Sequence, residues 1–172
     1  GIPCVIEAIL EVAAKRDLPV VEDAACAVGS EIRVGDDWQR IGRPHGALSC
    51  FSFHPRKVVT TGDGGMITTG DPRLAKRLRL LRQHAMSVPD TVRHHSDKVV
   101  FEEFTEPAFN HRMTDIQAAV GRPQLARLDE IIARQERVRG QPALGQLRHP
   151  PLNVHERLKI LRLKEHQPRP EG

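Results

Sequence analysis

Only three cysteines occur in 172 residues, Cys4, Cys26 and Cys50, and none pairs with another at CxxC spacing. So sparse and odd a set argues against a disulfide framework and a cysteine zinc site, and favours reduced thiols in the cytoplasm. No apolar run approaches the ~20 residues that a helix needs to cross a bilayer. The N-terminal GIPCVIEAIL lacks the charged segment and cleavage site of a signal peptide. It also lacks an initiator Met, so the expectation is a chain that begins inside something longer. The nine histidines show no HExxH spacing, so no metal site is expected. Neither G-x-x-x-x-G-K-[ST] nor G-x-S-x-G occurs, which removes the P-loop and the hydrolase elbow. No internal repeat is visible.

What is present fits a globular chain with a real core: 39% hydrophobic and 28% charged residues. The net charge of +4 is unevenly placed. Residues 1–138 balance 19 Lys+Arg against 19 Asp+Glu, so the excess belongs to 139–172, with 7 against 3. A basic balance raises nucleic-acid binding as a reading. Here the excess sits in a segment with five prolines and no nucleic-acid motif, so no nucleic-acid partner and no membrane partner is expected.

Residues 4–16 carry Val5, Ile6, Ile9, Leu10 and Ala13 on one helical stripe, ended by Asp17 and Pro19. PVVED reads as a short buried strand, Pro19 to Asp23. The stretch from Glu31 reads as a strand, a turn at Gly35-Asp36-Asp37 and a return. ALSCFSF, Ala47 to Phe53, and GMITTG, Gly65 to Gly70, read as two further strands. Asp71-Pro72 opens a helix with Leu74, Leu78 and Leu81 inward and an arginine cluster on a solvated face. Thr114 and Gln117 form a capping box for a last helix, which Gly121 and Pro123 should bend or break. The expected class is α/β, a mainly parallel sheet with flanking helices.

Ligands bind beyond the carboxyl ends of strands in open α/β sheets. Two such ends carry chemistry: Asp23 after PVVE, and Ser52 through Lys57 after ALSCF. If those strands are neighbours, an acid, a hydroxyl and an amine meet at one rim. A lysine that forms a Schiff base with pyridoxal phosphate (PLP) needs an acid at the pyridinium nitrogen and donors for the phosphate. Plainer readings stand beside this one. Asp23 caps the turn that follows it. Lys57 is a surface lysine. Gly62-Asp63-Gly64-Gly65 is an anion nest or, more commonly, a tight turn into the next strand.

VVEDAACAVGS, CFSFHPRKVVTTGDGGMITT, LAKRLRLLRQHAM and FNHRMTDIQAAVGRPQLARLDEI, in this order and spacing, resemble the DegT/StrS-type PLP-dependent sugar aminotransferases. The resemblance implies part of the large domain of a fold-type-I PLP enzyme. It implies Lys57 as the Schiff-base lysine and Asp23 as the partner of the ring nitrogen. It implies Ser52 at the cofactor phosphate, and Cys26 where the family often has Gln or His near the ring substituents. Asn110, with Arg112, matches the block that reaches the neighbouring subunit's site in the family's homodimer. The branch that removes a sugar hydroxyl has His in place of the lysine, so Lys57 favours transamination. The implied reaction moves an amino group, from glutamate as donor, to a nucleotide-linked keto sugar.

Family enzymes are considerably longer. The expectation is therefore residues 1–137 as the central part of that domain and 138–172 as a basic, poorly ordered tail. The change to Pro, His and Arg after Arg137 suggests a shifted frame or a truncated gene. Two other readings compete: a non-catalytic remnant that keeps the signature, and a binding module using the basic tail.

Overall fold

The computed structural model describes residues 4–88, 99 and 101–139. Helix α1 (Ile6–Ala14) forms where the apolar stripe predicts it. Its end is a Schellman closure: Asp17 N–H reaches Ala14 O at 3.3 Å and Leu18 N–H reaches Ala13 O at 3.0 Å. Asp17 thereby takes φ 51°, left-handed backbone in which a Cβ is strained. Asp17→Gly is expected to stabilise the chain by about 0.5 kcal/mol, strain relief exceeding the added freedom of the unfolded chain. A urea midpoint that falls instead would show that the Asp17 side chain contributes more than its backbone costs.

Five strands follow: β1 (Val21–Asp23), β2 (Glu31–Val34), β3 (Asp37–Arg40), β4 (Leu48–Ser52) and β5 (Gly65–Thr68). β2 and β3 make the expected hairpin, turning at Gly35, whose φ of 59° a glycine adopts without strain. The other three form one sheet in the order β1-β4-β5. β1 and β4 run parallel, with Val21 opposite Leu48 and Asp23 opposite Cys50. β4 and β5 run antiparallel, with Ser52 opposite Gly65. The sheet is thus mixed, where the sequence suggested mainly parallel pairing. The reason lies in residues 53–64, which hold no helix to carry the chain across the sheet. They double back through the glycine turn.

Helix α2 (Pro72–Leu81) is capped by Asp71, whose carboxylate accepts Arg73 N–H at 2.7 Å. That bond holds the Asp71 carboxyl below its ordinary value. The cap is fully present above the ordinary carboxylate range and is lost as pH falls through the lowered value. The arginine face of α2 is not wholly solvated. Arg77 forks onto both oxygens of Glu106.

Helix α3 (Asp115–Ala126) opens on the expected capping box: Gln117 N–H donates to Thr114 Oγ1 at 3.2 Å, and Thr114 N–H to Gln117 Oε1 at 2.9 Å. The break expected at Gly121 and Pro123 falls later, at Arg127, before α4 (Leu128–Arg139). Gly121 serves a close contact with the segment before the glycine turn. It is buried, and a Cβ there would lie 2.8 Å from Thr61 Cγ2. Gln124 fastens the same approach by accepting Thr60 N–H at 3.1 Å and donating to Thr60 O at 2.7 Å. α3 is thereby stapled to the segment between Lys57 and the glycine turn.

Among the described residues the buried apolar set is small: Ile6, Ala24, Ile32, Phe53, Val59, Ala85 and Met86. Met66 and Ile67 of β5 and Ile9 and Val12 of α1 remain exposed. No helix among the described residues is long and apolar enough to cross a membrane. The basic tail expected over 138–172 lies, from residue 140 onward, outside the described residues.

Candidate active site

Parallel pairing brings the exits of β1 and β4 side by side, and Ala24 N–H extends it to Cys50 O at 2.9 Å. Beyond β1 the backbone turns at Ala25–Cys26. Asp23 Oδ1 accepts Ala25 N–H at 3.0 Å, so the acid does cap this turn. Its side chain is still exposed at the rim, and its second oxygen has no partner among the described residues. Beyond β4, residues 53–64 close on themselves. Phe53 N–H reaches Gly64 O at 2.8 Å, and Thr61 N–H reaches Phe53 O at 3.1 Å. Fully buried Val59 anchors this loop.

Lys57 sits within the loop, held by its N–H to His54 O at 2.9 Å. Its half-buried side chain points back across the strand exits, and Nζ donates to Cys26 Sγ at 2.8 Å. The two rims therefore meet through an amine and a thiol. Ser52 ends β4, and its hydroxyl accepts His54 N–H at 3.3 Å, leaving the hydroxyl proton to donate elsewhere. The glycine run is a turn. Gly62 N–H goes to Thr60 Oγ1 at 3.1 Å and Gly64 N–H to Asp63 Oδ1 at 2.8 Å, so both amides face their own loop, not an anion.

Asp23, Cys26 and Lys57 thus gather at neighbouring strand ends, with Ser52 at the foot of the Lys57 loop. Asn110 does not join them. It bridges Gln83 near the end of α2, and its side-chain oxygen accepts from Arg112 Nε at 3.3 Å.

Sequence reasoning passed over Glu22 and His45. Glu22 Oε1 accepts two backbone N–H groups, from His45 at 2.6 Å and Gly46 at 2.8 Å. The His45 ring lies beside it, with Nδ1 3.6 Å from Glu22 Oε2 and Nε2 3.1 Å from Gln39 Oε1. The two side chains are only 8% and 11% exposed. This cluster ties the chain entering β4 to β1, and so sets the spacing of the two rims. A carboxylate inside the run PVVED, one residue before Asp23, was the available signal.

An amine, a carboxylate with an open oxygen and a hydroxyl at one rim suit a small molecule with a carbonyl, a basic ring nitrogen and an anionic group. This donor set fits PLP. GDP-perosamine synthase of Caulobacter vibrioides is 45% identical over 140 residues, which cover 80% of this chain and 33% of that protein. The chain spans about a third of the length of the curated relatives it matches. Its fold resembles the aminotransferase TlmJ from Streptoalloteichus hindustanus, with a TM-score of 0.65 at 33% identity, covering 80% of this chain and 34% of that one. It also resembles the PLP form of the putative sugar aminotransferase Spr1654 from Streptococcus pneumoniae, with a TM-score of 0.64 at 25% identity, covering 80% and 37%. The sequence pattern of the DegT/DnrJ/EryC1/StrS aminotransferases matches residues 1–148, and the chain belongs to that family.

Proposed function

We propose that this chain carries the lysine rim of a PLP-dependent aminotransferase that transfers an amino group, from glutamate, to a nucleotide-linked keto sugar in the cytoplasm. The observation that carries the reading is the meeting of Lys57, Cys26 and Asp23 at the adjacent exits of β1 and β4. The relative that makes a GDP-linked sugar supports the substrate class. The PLP form of a structural neighbour supports the cofactor.

When bound, PLP supplies a carbonyl for covalent attachment and a ring that withdraws electrons from the substrate carbon. Lys57 would hold the cofactor and would move a proton at the substrate carbon. Asp23, with its open carboxylate oxygen, would hold a proton on the ring nitrogen. Ser52 would donate its hydroxyl proton to the phosphate. Cys26, whose sulfur contacts Lys57 Nζ, would lie beside the ring substituents. Asn110 and Arg112 would belong to a face that serves a second subunit of a homodimer. On this reading residues 1–137 belong to the large domain and 138–172 form an extension.

Borohydride reduction of the PLP-treated chain, followed by peptide mapping, is expected to place a pyridoxyl group on Lys57. A label on Lys15, Lys76 or Lys98 would sink the assignment. A second reading, a non-catalytic chain that keeps this rim without a complete site, is favoured by the exposed apolar residues of α1 and β5. Labelled Lys57 without glutamate-dependent turnover would select it.

A further inference from the structure

We propose that Cys26 and Lys57 form a peroxide-responsive covalent switch, in which oxidation joins the thiol sulfur to the lysine nitrogen. The pair is unusual in its arrangement. Cys26 is exposed, so a small oxidant reaches the sulfur directly. Lys57 Nζ already contacts that sulfur at 2.8 Å. Each partner sits on a fixed turn: Cys26 one residue past the Ala25 N–H that Asp23 holds, Lys57 in the loop closed by Phe53 and Thr61. Reaching bonding distance therefore needs a small side-chain movement and no backbone rearrangement.

The chemistry balances with hydrogen peroxide as oxidant. The Cys26 sulfur attacks a peroxide oxygen; an S–O bond forms, the O–O bond breaks, and one water leaves. Sulfur loses two electrons and the peroxide gains them, giving a sulfenic acid. The unprotonated Lys57 amine then attacks the sulfur. An S–N bond forms, the S–O bond breaks, and a second water leaves with a proton from nitrogen. No electrons are exchanged in this second step. An amine held in contact outcompetes thiols that must diffuse in, because the reaction is intramolecular. A reducing thiol reverses the link, restoring both groups and leaving with its own disulfide.

The other thiols lack this arrangement. Cys4 is equally exposed, but no amine contacts its sulfur among the described residues, and Cys50 lies part-buried within β4. The consequence for activity rests on the proposed function: a linked Lys57 has no free amine for a carbonyl, so oxidation closes the site and reduction reopens it.

The test uses the full chain without PLP. It is treated with hydrogen peroxide, its remaining thiols are alkylated, and it is mapped by mass spectrometry without reductant. The expected product is a joined peptide pair carrying Cys26 and Lys57, lighter by two hydrogens, that separates again with dithiothreitol. Cys26→Ser abolishes the pair. Lys57→Met leaves a Cys26 sulfenic acid that dimedone traps. Dimedone trapping of Cys26 to the same extent with Lys57 present, or oxidation of Cys26 no faster than Cys4 and without a link, would overturn the proposal. So would a disulfide from Cys26 to Cys4 or Cys50. Borohydride labelling of the reduced chain with PLP reads the proposed function separately, so failure of either leaves the other decided on its own.

Discussion

Glu22→Ala is expected to destabilise the chain by about 3 kcal/mol, since it strands two backbone donors that now bond a charged oxygen. The carboxylate accepts His45 N–H and Gly46 N–H through the same atom, Oε1, at 2.6 and 2.8 Å. Both donors lie in the turn that feeds β4, and that turn cannot readily move. A Cβ on Gly46 would stand 2.5 Å from Val20 O, so the backbones already touch. Removing the acid leaves the donors packed against β1 with no replacement. His45 Nδ1, already without a hydrogen bond in this cluster, loses its nearest anion as well. Glu22→Gln keeps an oxygen for the two donors and should recover a substantial part of the loss. Urea unfolding of the three proteins measures this. Equal midpoints for wild type and Glu22→Ala would mean that solvent satisfies both amides, and that the spacing of the rims is set elsewhere.

On the proposed function, Asp23→Asn is expected to slow glutamate half-transamination at least ~tenfold, about 1.4 kcal/mol of barrier, while PLP retention changes little. The substitution separates two duties. The amide oxygen of Asn can still accept Ala25 N–H, so the turn before Cys26 survives. The negative charge is gone, and with it the ability to hold a proton on a ring nitrogen. Rates are measured by rapid mixing with glutamate in the PLP-loaded protein, together with unfolding midpoints. If the Asn protein transaminates at the wild-type rate while Asp23→Ala merely unfolds more easily, Asp23 is a turn cap and nothing more. The same pair of measurements therefore weighs the two readings that the sequence alone left standing.

The rim was legible because its residues are punctuated. Asp23 closes an apolar run, and Lys57 follows another by a fixed count, so both strand exits were visible before any pairing was known. The parallel register of β1 and β4 then had only to place them together. The direction of β5 was not legible from its own residues, since GMIT reads as a strand in either sense. The signal lay in the link before it, which has no helical pattern and ends in glycines. Gly121 misled because an interior glycine reads as a helix breaker. Its use is the close approach of α3 to Thr61, a long-range contact that no local pattern encodes. Glu22 was overlooked for a similar reason: its partners are some twenty residues away in sequence, at the turn containing His45. Asn110 was assigned by resemblance to a neighbouring subunit's site; within this chain its contacts are with Gln83 and Arg112.

The strand order β1-β4-β5 puts Ser52 and the Lys57 loop on the middle strand and Asp23 with Cys26 on an edge. Among the described residues β4 is bonded on both sides and β1 on one. Amide hydrogens of β4 should therefore exchange with solvent far more slowly than those of β1, whose opening breaks a single ladder. An opening of β1 would draw Cys26 and Asp23 away from an amine that stays with the slower strand. Contact between thiol and amine is then expected to follow the opening of three residues, Val21 to Asp23. Mutations that fasten or loosen that edge would tune the rim from outside it, without touching any group that does chemistry.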